Sequence, residues 1–404
     1  MNKFYKIFIA EGLSEETRRV PYITDEPKFH YFLTIPKEEL SKKYNIIDTF
    51  GQGFDSNEKM ARTKSLAEML ERLCLINPPK EFHISRFKLD GDYIKPSEFF
   101  CYSKEQHLDR ENILETLDKG EYRWIKSKNL STGRDIYVPA QNIYLSSLFK
   151  DEKSLRKEQI STGAAFGMIG EEMAFKSGFL ESIERDGIMG FFLKNWEGRK
   201  MHNLPNKING LIDYLKRYKL ETYVFDATTD LRIPTTIAII VDKTGKGAAI
   251  NVGSKSDLNY LDAIKGSIME AIQCRRTRIN YFNTEKVTED KIHSLVDRLI
   301  YWEDKERLND IEYLTSQTSA IDYQKIPRKT FSLEESVQSV KKRGYDIIVT
   351  DITLQEIKKH NFETLKVTIP QLHPLYLDER AKALYSKHFG EIKNNPRLKP
   401  HPVT

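Results

Sequence analysis

Cysteine is scarce in this chain. Cys74, Cys101 and Cys274 are three residues in 404, far apart and odd in number. With no Cys-x-x-Cys anywhere, that argues against a disulfide framework and against a structural zinc module. Long apolar runs are also missing. The longest, Ile237 to Val241 with its neighbours, suits a buried strand and is too short to cross a bilayer, and the opening MNKFYKIFIAEGLSEETRR holds too little apolar sequence for a signal peptide. An excess of one charge is lacking too. The 64 basic and 59 acidic residues leave a formal charge of +5, with both signs mixed along the chain. Short basic clusters (Arg275, Arg276 and Arg278; Lys341, Lys342 and Arg343) read as solvated helix faces rather than a nucleic-acid stripe. No Gly-x-x-x-x-Gly-Lys-Ser/Thr occurs, and the short GQG at 51–53 and TGKG at 244–247 are not phosphate-loop fingerprints. The nine histidines show no metal spacing, and no nucleophilic triad is supported. What remains is a globular, non-membrane, non-nucleic-acid protein suited to a reducing cytoplasm.

Against these absences, the chain is long enough for one large domain or two ordinary ones. Residues 1–45, with Pro21, Pro27 and Pro36 and little periodicity, read as an irregular lead-in, and 46–404 as the functional domain. Helical periodicity runs over Asn57–Leu75, about Gly170–Leu193 and about Leu258–Arg278. YRWIKSKNLSTGRDIYVPA reads as a hairpin turning at Ser131–Gly133, and LETYVFDATT, IPTTIAIIVD and GAAINVGS as three strands. Residues 284–320 are charged and helical in period, as in an exposed insertion or edge. Late strands are expected at Asp346–Thr353 and Thr364–Pro370, and 391–404 is a Pro-rich tail. Mixing of elements without strict alternation predicts an α+β fold.

Each of the three long helices carries a pair of oxygen-bearing side chains three residues apart, followed by arginine. KSLAEMLERLC holds Glu68, Glu71 and Arg72; GFLESIERDG holds Glu181, Glu184, Arg185 and Asp186; GSIMEAIQCRRTR holds Glu270, Gln273 and Arg275. Positions i and i+3 share a helix face, and the flanking residues are apolar, so these acids are expected in largely buried helices. Buried carboxylates are costly unless paired or bound to a cation, and Mg²⁺ shared with phosphate oxygens is a common remedy. Ordinary surface Glu–Arg pairs are the bland alternative; three copies with similar flanks favour the metal reading. The segment STGAAFG at 161–167, just before the second helix, could cradle a phosphate or be no more than a tight loop. Cys74 and Cys274, on the same helices, read as buried inert thiols.

Taken together these stretches resemble the YcaO family of ATP-dependent peptide-backbone-modifying enzymes, from about Gly51 onward. Three elements carry the resemblance: Ala61 through Arg72, the run STGAAFGMIGEEMAFKSGFLESIERD, and Ala263 through Arg275. The hairpin ending TGRDIYVPA is similar as well. The resemblance implies a YcaO-type fold with a mixed or antiparallel sheet, ATP and Mg²⁺ as cofactors, and Glu68, Glu71, Glu181 and Glu184 as metal and phosphate residues. Arg185, Gln273, Arg275, Ser161 and Thr162 become nucleotide contacts. The family's serine four before the first glutamate is Lys64 here, with Ser65 beside it. Gly-Lys-Gly is Gly51-Gln52-Gly53, and Met168 stands where asparagine is frequent. One extra residue between Gly163 and Glu181 leaves Glu172 or Glu171 at the acidic position of the loop.

Azoline-forming members tend to end in Pro-x-Pro-x-Pro, and this chain ends Pro400-His401-Pro402-Val403-Thr404, so Pro400, Pro402 and Thr404 are expected to order the catalytic centre. A frayed terminus is the alternative. The implied reaction is cyclodehydration of Cys, Ser or Thr in a precursor peptide. The rivals are thioamide formation with a TfuA-like helper, or a non-catalytic scaffold subunit. About 50 residues precede the first motif, so leader recognition is expected on a separate ThiF-like or ubiquitin-activating-like partner, with the isolated chain slow or inactive. A flavin dehydrogenase and a homodimer both fit such a complex.

Overall fold

The computed structural model describes residues 3–39, 50–83, 89–154, 161–278, 285–317, 320–327, 330–393 and 399–403. The apolar spacing that predicts three long helices gives them nearly as read. In chain order the longer helices are α1 (Lys3–Ala10), α2 (Glu58–Leu75), α3 (Arg110–Asp118), α4 (Gly170–Leu193), α5 (Asn206–Lys216), α6 (Tyr260–Arg278), α7 (Leu295–Glu303) and α8 (Leu333–Lys341). Asn57 sets the start of α2, its side chain accepting from the Met60 amide at 3.1 Å. Asn259 does the same for α6, accepting from the Asp262 amide at 2.9 Å.

Strands β1 (Ser14–Arg19), β2 (His30–Pro36) and β3 (Gly51–Asp55) form an antiparallel three-stranded sheet. The lead-in is therefore not irregular over its described part. HYFLTIP alternates enough to be a strand, but the polar SEETRR becomes one only because β2 supplies its hydrogen bonds. The next strands are β4 (Asp92–Tyr93), β5 (Trp124–Asn129), β6 (Arg134–Pro139) and β7 (Thr162–Phe166), followed by β8 (Lys200–His202), β9 (Leu220–Asp226), β10 (Thr235–Asp242) and β11 (Ile250–Ser256). The last five are β12 (Ala320–Asp322), β13 (Ile348–Asp351), β14 (Phe362–Thr368), β15 (Tyr385–Ser386) and β16 (Gly390–Glu391). Six form the order β4-β6-β5-β13-β14-β7, five form β11-β10-β9-β8-β12, and the short β15 and β16 pair with each other. Both larger sheets are mostly antiparallel with one parallel pairing each, β4 with β6 and β8 with β12. The α+β class holds.

The chain divides into two compact units. The first comprises residues 1–100, 109–182 and 344–370; the second comprises 101–108, 183–343 and 371–404. The boundary falls inside α4, between Ser182 and Ile183. In the first unit, Leu66, Met69, Leu70 and Leu73 of α2 pack with Val138, Ile348 and Phe362. In the second, Ile188, Phe191 and Phe192 of α4 pack with Ile237 and Ile239 of β10 and with Tyr301 and Trp302 of α7. That last contact corrects an expectation. Part of 284–320 is core, not exposed insertion, because Arg298 to Trp302 are all buried. The stretch is charged enough to hide its apolar stripe in a composition window.

The units share a module. Thr34, Gly51, Asn57, Ser65 and Glu68 find Thr236, Gly253, Asn259, Ser267 and Glu270 at a constant spacing, 236 − 34 = 202 residues. The hydrogen bonds repeat with the residues: Thr34 to Ser65 at 2.9 Å and Thr236 to Ser267 at 3.1 Å, both buried. Each module is a strand pair laid on an acidic helix. The approach is so close that a Cβ at Gly51 would lie 1.9 Å from the Ser65 carbonyl oxygen, and one at Gly253 2.2 Å from the Ala271 nitrogen.

Candidate functional site

That close approach is what delivers backbone amides to the glutamates. In the first unit the Gln52 N–H, next to Gly51, donates to Glu68 Oε2 at 2.8 Å. Glu68 Oε1 accepts from Arg72 Nη2 at 2.6 Å and Nε at 3.0 Å. Strand β7 contributes two more amides: Thr162 N–H to Glu181 Oε2 at 2.9 Å, and Ala164 N–H to Glu71 Oε1 at 3.1 Å. The STGAAFG segment is therefore a strand in the six-stranded sheet, paired with β14, rather than a free loop. Gly163 lets it lie against α4 as Gly51 lets β3 lie against α2.

Three glutamates are thus drawn together in the first unit, with Arg72 as a cation held by Glu68. Glu71 as a residue is only half-buried, yet its carboxyl is pushed well above the usual carboxylate range. Burial is the largest cause, followed by the charges of Glu181 and then Glu68.

The second unit repeats the device. Ser254 N–H, next to Gly253, donates to Glu270 Oε2 at 2.6 Å. The Ser254 hydroxyl reaches Glu184 Oε1 at 2.7 Å, and the Ser256 N–H reaches Glu184 Oε2 at 3.1 Å. Lys255 Nζ stands 3.7 Å from Glu184. Burial and then the Glu184 charge raise the Glu270 carboxyl to about 7, against the opposing pull of the Ser254 amide, Lys255 and Arg185. Glu270 lay in the third sequence motif, but as a single acid followed by Gln273 it gave no pair of carboxylates. Its partner, Glu184, comes from another helix, and no spacing in the sequence signals that.

The other expected site residues separate into three groups. Arg185 acts on Glu270 through its charge, and Gln273 is half-buried one turn further along α6. Three others make contacts within their own unit. Ser65 is buried and bonded to Thr34; Arg275 is buried with Nη2 on Asp242 (2.9 Å) and Nη1 on the Ala248 carbonyl (3.0 Å); Ser161 is buried, its carbonyl accepting the Val367 amide at 2.9 Å. Lys64 projects to Asp55 at 2.7 Å, and Glu172 is exposed in the first turn of α4. The buried Thr162 hydroxyl has no hydrogen-bond partner among the described residues, a polar atom suited to a ligand oxygen.

The residues near the end of the sequence are buried, which argues against fraying. Pro400, His401, Pro402 and Val403 are all buried, while Thr404 lies outside the described residues. Arg298, wholly enclosed, donates from Nη1 to the His401 carbonyl and from Nη2 to the Leu377 carbonyl, each at 2.7 Å, and pairs with Glu379 at 2.6 Å. His401 Nε2 donates to the Tyr376 carbonyl at 2.8 Å. Burial, with the Arg298 charge nearby, holds this imidazole well below its usual value and hence neutral.

The family model described as YcaO cyclodehydratase, ATP- and Mg²⁺-binding, matches residues 51–373. The chain belongs to the YcaO family. ATP and Mg²⁺, the cofactors expected from the sequence, are those that the family model is described as binding. A protein of Methanothermobacter thermautotrophicus, itself uncharacterized, is 23% identical over 345 residues, covering 81% of this chain and 82% of that one. Among solved structures the fold is similar to a heterocyclase in complex with substrate and cofactor, with TM-score 0.71, 20% identity and 93% of this chain covered. This chain spans only about half, 53%, of that heterocyclase. It is also similar to YcaO from Methanopyrus kandleri bound with AMPPCP and Mg²⁺ (TM-score 0.69, 17% identity, 97% and 92% of the two chains). A third is the E. coli microcin synthetase McbBCD complex with pro-MccB17 bound (TM-score 0.66, 12% identity, 96% of each chain).

The residues of this YcaO chain fit the cofactors on chemistry. Among the described residues no group of three or more His, Cys, Asp or Glu side chains is disposed to hold a metal ion by itself. The crowded carboxylates, raised by burial and by one another's charge, suit a cation that also takes phosphate or water ligands, as Mg²⁺ does. No helix among the described residues is long and apolar enough to cross a membrane.

Proposed function

We propose that this YcaO protein activates peptide backbone amides with ATP, cyclodehydrating Cys, Ser or Thr of a ribosomally made precursor to thiazoline or oxazoline. The observation that supports it best is the pair of glutamate clusters, each pinned by amides of a glycine-backed strand, in a chain whose family binds ATP and Mg²⁺. Glu68, Glu71 and Glu181 of the first unit and Glu184 of the second are the proposed metal and phosphate residues, with Glu270 added to them. When bound, Mg²⁺ and the triphosphate would offset the clustered negative charge and supply the phosphoryl group that makes the amide oxygen a leaving group. The protein's share is positioning. Fixed amides aim the carboxylates, the Thr162 hydroxyl is available to a phosphate oxygen, and Arg185 adds positive charge beside Glu270.

No side-chain nucleophile is required, because the attacking thiol or hydroxyl belongs to the peptide. The buried Pro400-His401-Pro402 segment supports the azoline branch, with Pro400, Pro402 and Thr404 in the ordering role. A ThiF-like or ubiquitin-activating-like partner is proposed to bring the leader. Mass spectrometry of a candidate peptide encoded beside the gene tests the reading: loss of 18 mass units per modified residue, with ADP and phosphate released, is expected. A gain of 16 would assign thioamide formation instead, and no Mg·ATP binding at millimolar nucleotide would leave only a scaffold role. Glu71→Gln is expected to fold and to lose Mg·ATP binding at least tenfold by isothermal titration; unchanged binding would show that the first cluster takes no part in nucleotide binding.

A further inference from the structure

The second unit also holds a pocket that neither glutamate cluster uses. A cavity of about 580 Å³ is lined by Lys194, Trp196, Arg199, Arg232 and Phe389, among others, and adjoins another of about 610 Å³ through the shared residues Asp230 and Arg232. Each lies within the roughly 300–1,000 Å³ of a small-ligand cleft, and the shared wall gives room for an occupant that extends from one to the other.

The charges of the first cavity do not balance within it. Asp230 is taken twice, by His388 Nε2 at 2.7 Å and by Arg343 Nη2 at 2.5 Å. Asp226 accepts from the Thr228 amide at 3.0 Å and from the Tyr260 hydroxyl at 3.4 Å, with Arg199 at 3.5 Å. His388 Nδ1 is held by the fully buried Asp186 at 2.7 Å. Burial alone would lower the His388 value, but the hydrogen bonds and charges of Asp186 and Asp230 outweigh it, so the ring is biased toward its cationic form. Arg232 and Lys194 are left over. Neither has an acidic or hydrogen-bonding side-chain partner among the described residues; Lys194 only stands over the Phe389 ring, 5.3 Å from its centroid.

The backbone is unusual at the same two places. Arg232 has φ +60° and Asn195, beside Lys194, has φ +49°, both in the left-handed region. An arginine held there is disfavoured, and such conformations concentrate at ligand clamps. Trp196 and Phe389, their rings 6.2 Å apart edge to face, add an apolar wall to the same lining.

We propose that this pocket binds an acidic, aromatic-bearing peptide segment, its carboxylates paired with Arg232 and Lys194 and its apolar side chain against Trp196 and Phe389. The inference rests on the reading that a peptide is the substrate class, but not on the glutamate clusters. Fluorescence anisotropy tests it with a fluorescein-labelled hexapeptide of alternating Glu and Phe, and with the Lys/Phe counterpart. The full-length protein should bind the Glu/Phe peptide saturably and the Lys/Phe peptide at least tenfold more weakly. Arg232→Gln and, separately, Lys194→Gln should each raise the Kd for the acidic peptide about tenfold, while titrated Mg·ATP affinity stays unchanged. Equal binding of both peptides, or a Kd untouched by either substitution, overturns the proposal. So does displacement of the peptide by inorganic phosphate together with weaker Mg·ATP binding in both variants, because the pocket would then be a phosphate site. Failure of Mg·ATP binding with retained acidic-peptide binding would refute the ATP reading and leave this pocket standing.

Discussion

Replacing Glu270 by Gln tests the electrostatics of the second cluster without touching its shape. The amide oxygen can still accept from the Ser254 N–H, and the new NH₂ can donate to Glu184, imitating the protonated acid. Glu270 titrates near 7 in the fold against about 4.5 when exposed. A raised carboxyl favours folding when protonated. Its contribution is therefore complete below about pH 4.5 and is lost as the pH rises through about 7. With one pKa unit worth about 1.4 kcal/mol, the full span is about 3 kcal/mol, and about 2 kcal/mol of it falls between pH 5.5 and 8.5. The wild-type protein in EDTA should lose that amount over this window relative to E270Q. Glu71 titrates in both proteins and cancels from the difference. Urea denaturation followed by tryptophan fluorescence reads it, in a Trp124→Phe background so that Trp196 and Trp302, both in the second unit, report alone. Mg·ATP should stabilise the wild type at pH 8.5 by more than it stabilises E270Q, since only the wild type gains relief of the Glu270 charge as well as binding. Parallel profiles within about 0.5 kcal/mol would mean that Glu270 is ionised in the fold, and the account of this cluster would be wrong.

Arg298→Met should free residues 399–403 and leave Glu379 with Lys382, 3.1 Å away, as its remaining cation, a loss of about 2–3 kcal/mol, seen as early proteolytic removal of the segment before the remainder is cut. Gly253→Ala should cost about 1–3 kcal/mol or more in denaturation, because the added carbon meets the α6 backbone rather than a side chain that could turn away.

Much of the fold was legible where local pattern and burial agree. The three acidic helices repeat their apolar residues at helical spacing, and α4 begins and ends at the residues its periodicity marks. The hairpin of β5 and β6, and strands β9 to β11, carry their own turn residues and branched side chains. What was not legible depends on partners distant in sequence. SEETRR is a strand because β2 completes it, and STGAAFG is a strand because β14 does. The amides on the glutamates come from strands 16 to 93 residues away, a distance that no motif encodes. His388 gave no signal because Asp186 and Asp230, which flank its two nitrogens, lie 202 and 158 residues upstream.

The repeated module carries a further argument about charge. Its two copies agree at Thr, Gly, Asn, Ser and the first Glu, yet the position of Glu71 in one is Gln273 in the other. In the first copy the second acid stays in the crowd, and Glu71 takes the strain as a strongly raised carboxyl with Glu68 and Glu181 around it. In the second, an amide one turn from Glu270 removes one charge on the same face. Glu184 is then the main acid opposing Glu270, whose carboxyl is raised to about 7. The two copies thus hold the same backbone cradle at different charge. The first therefore concentrates more negative charge on its helix face than the second does.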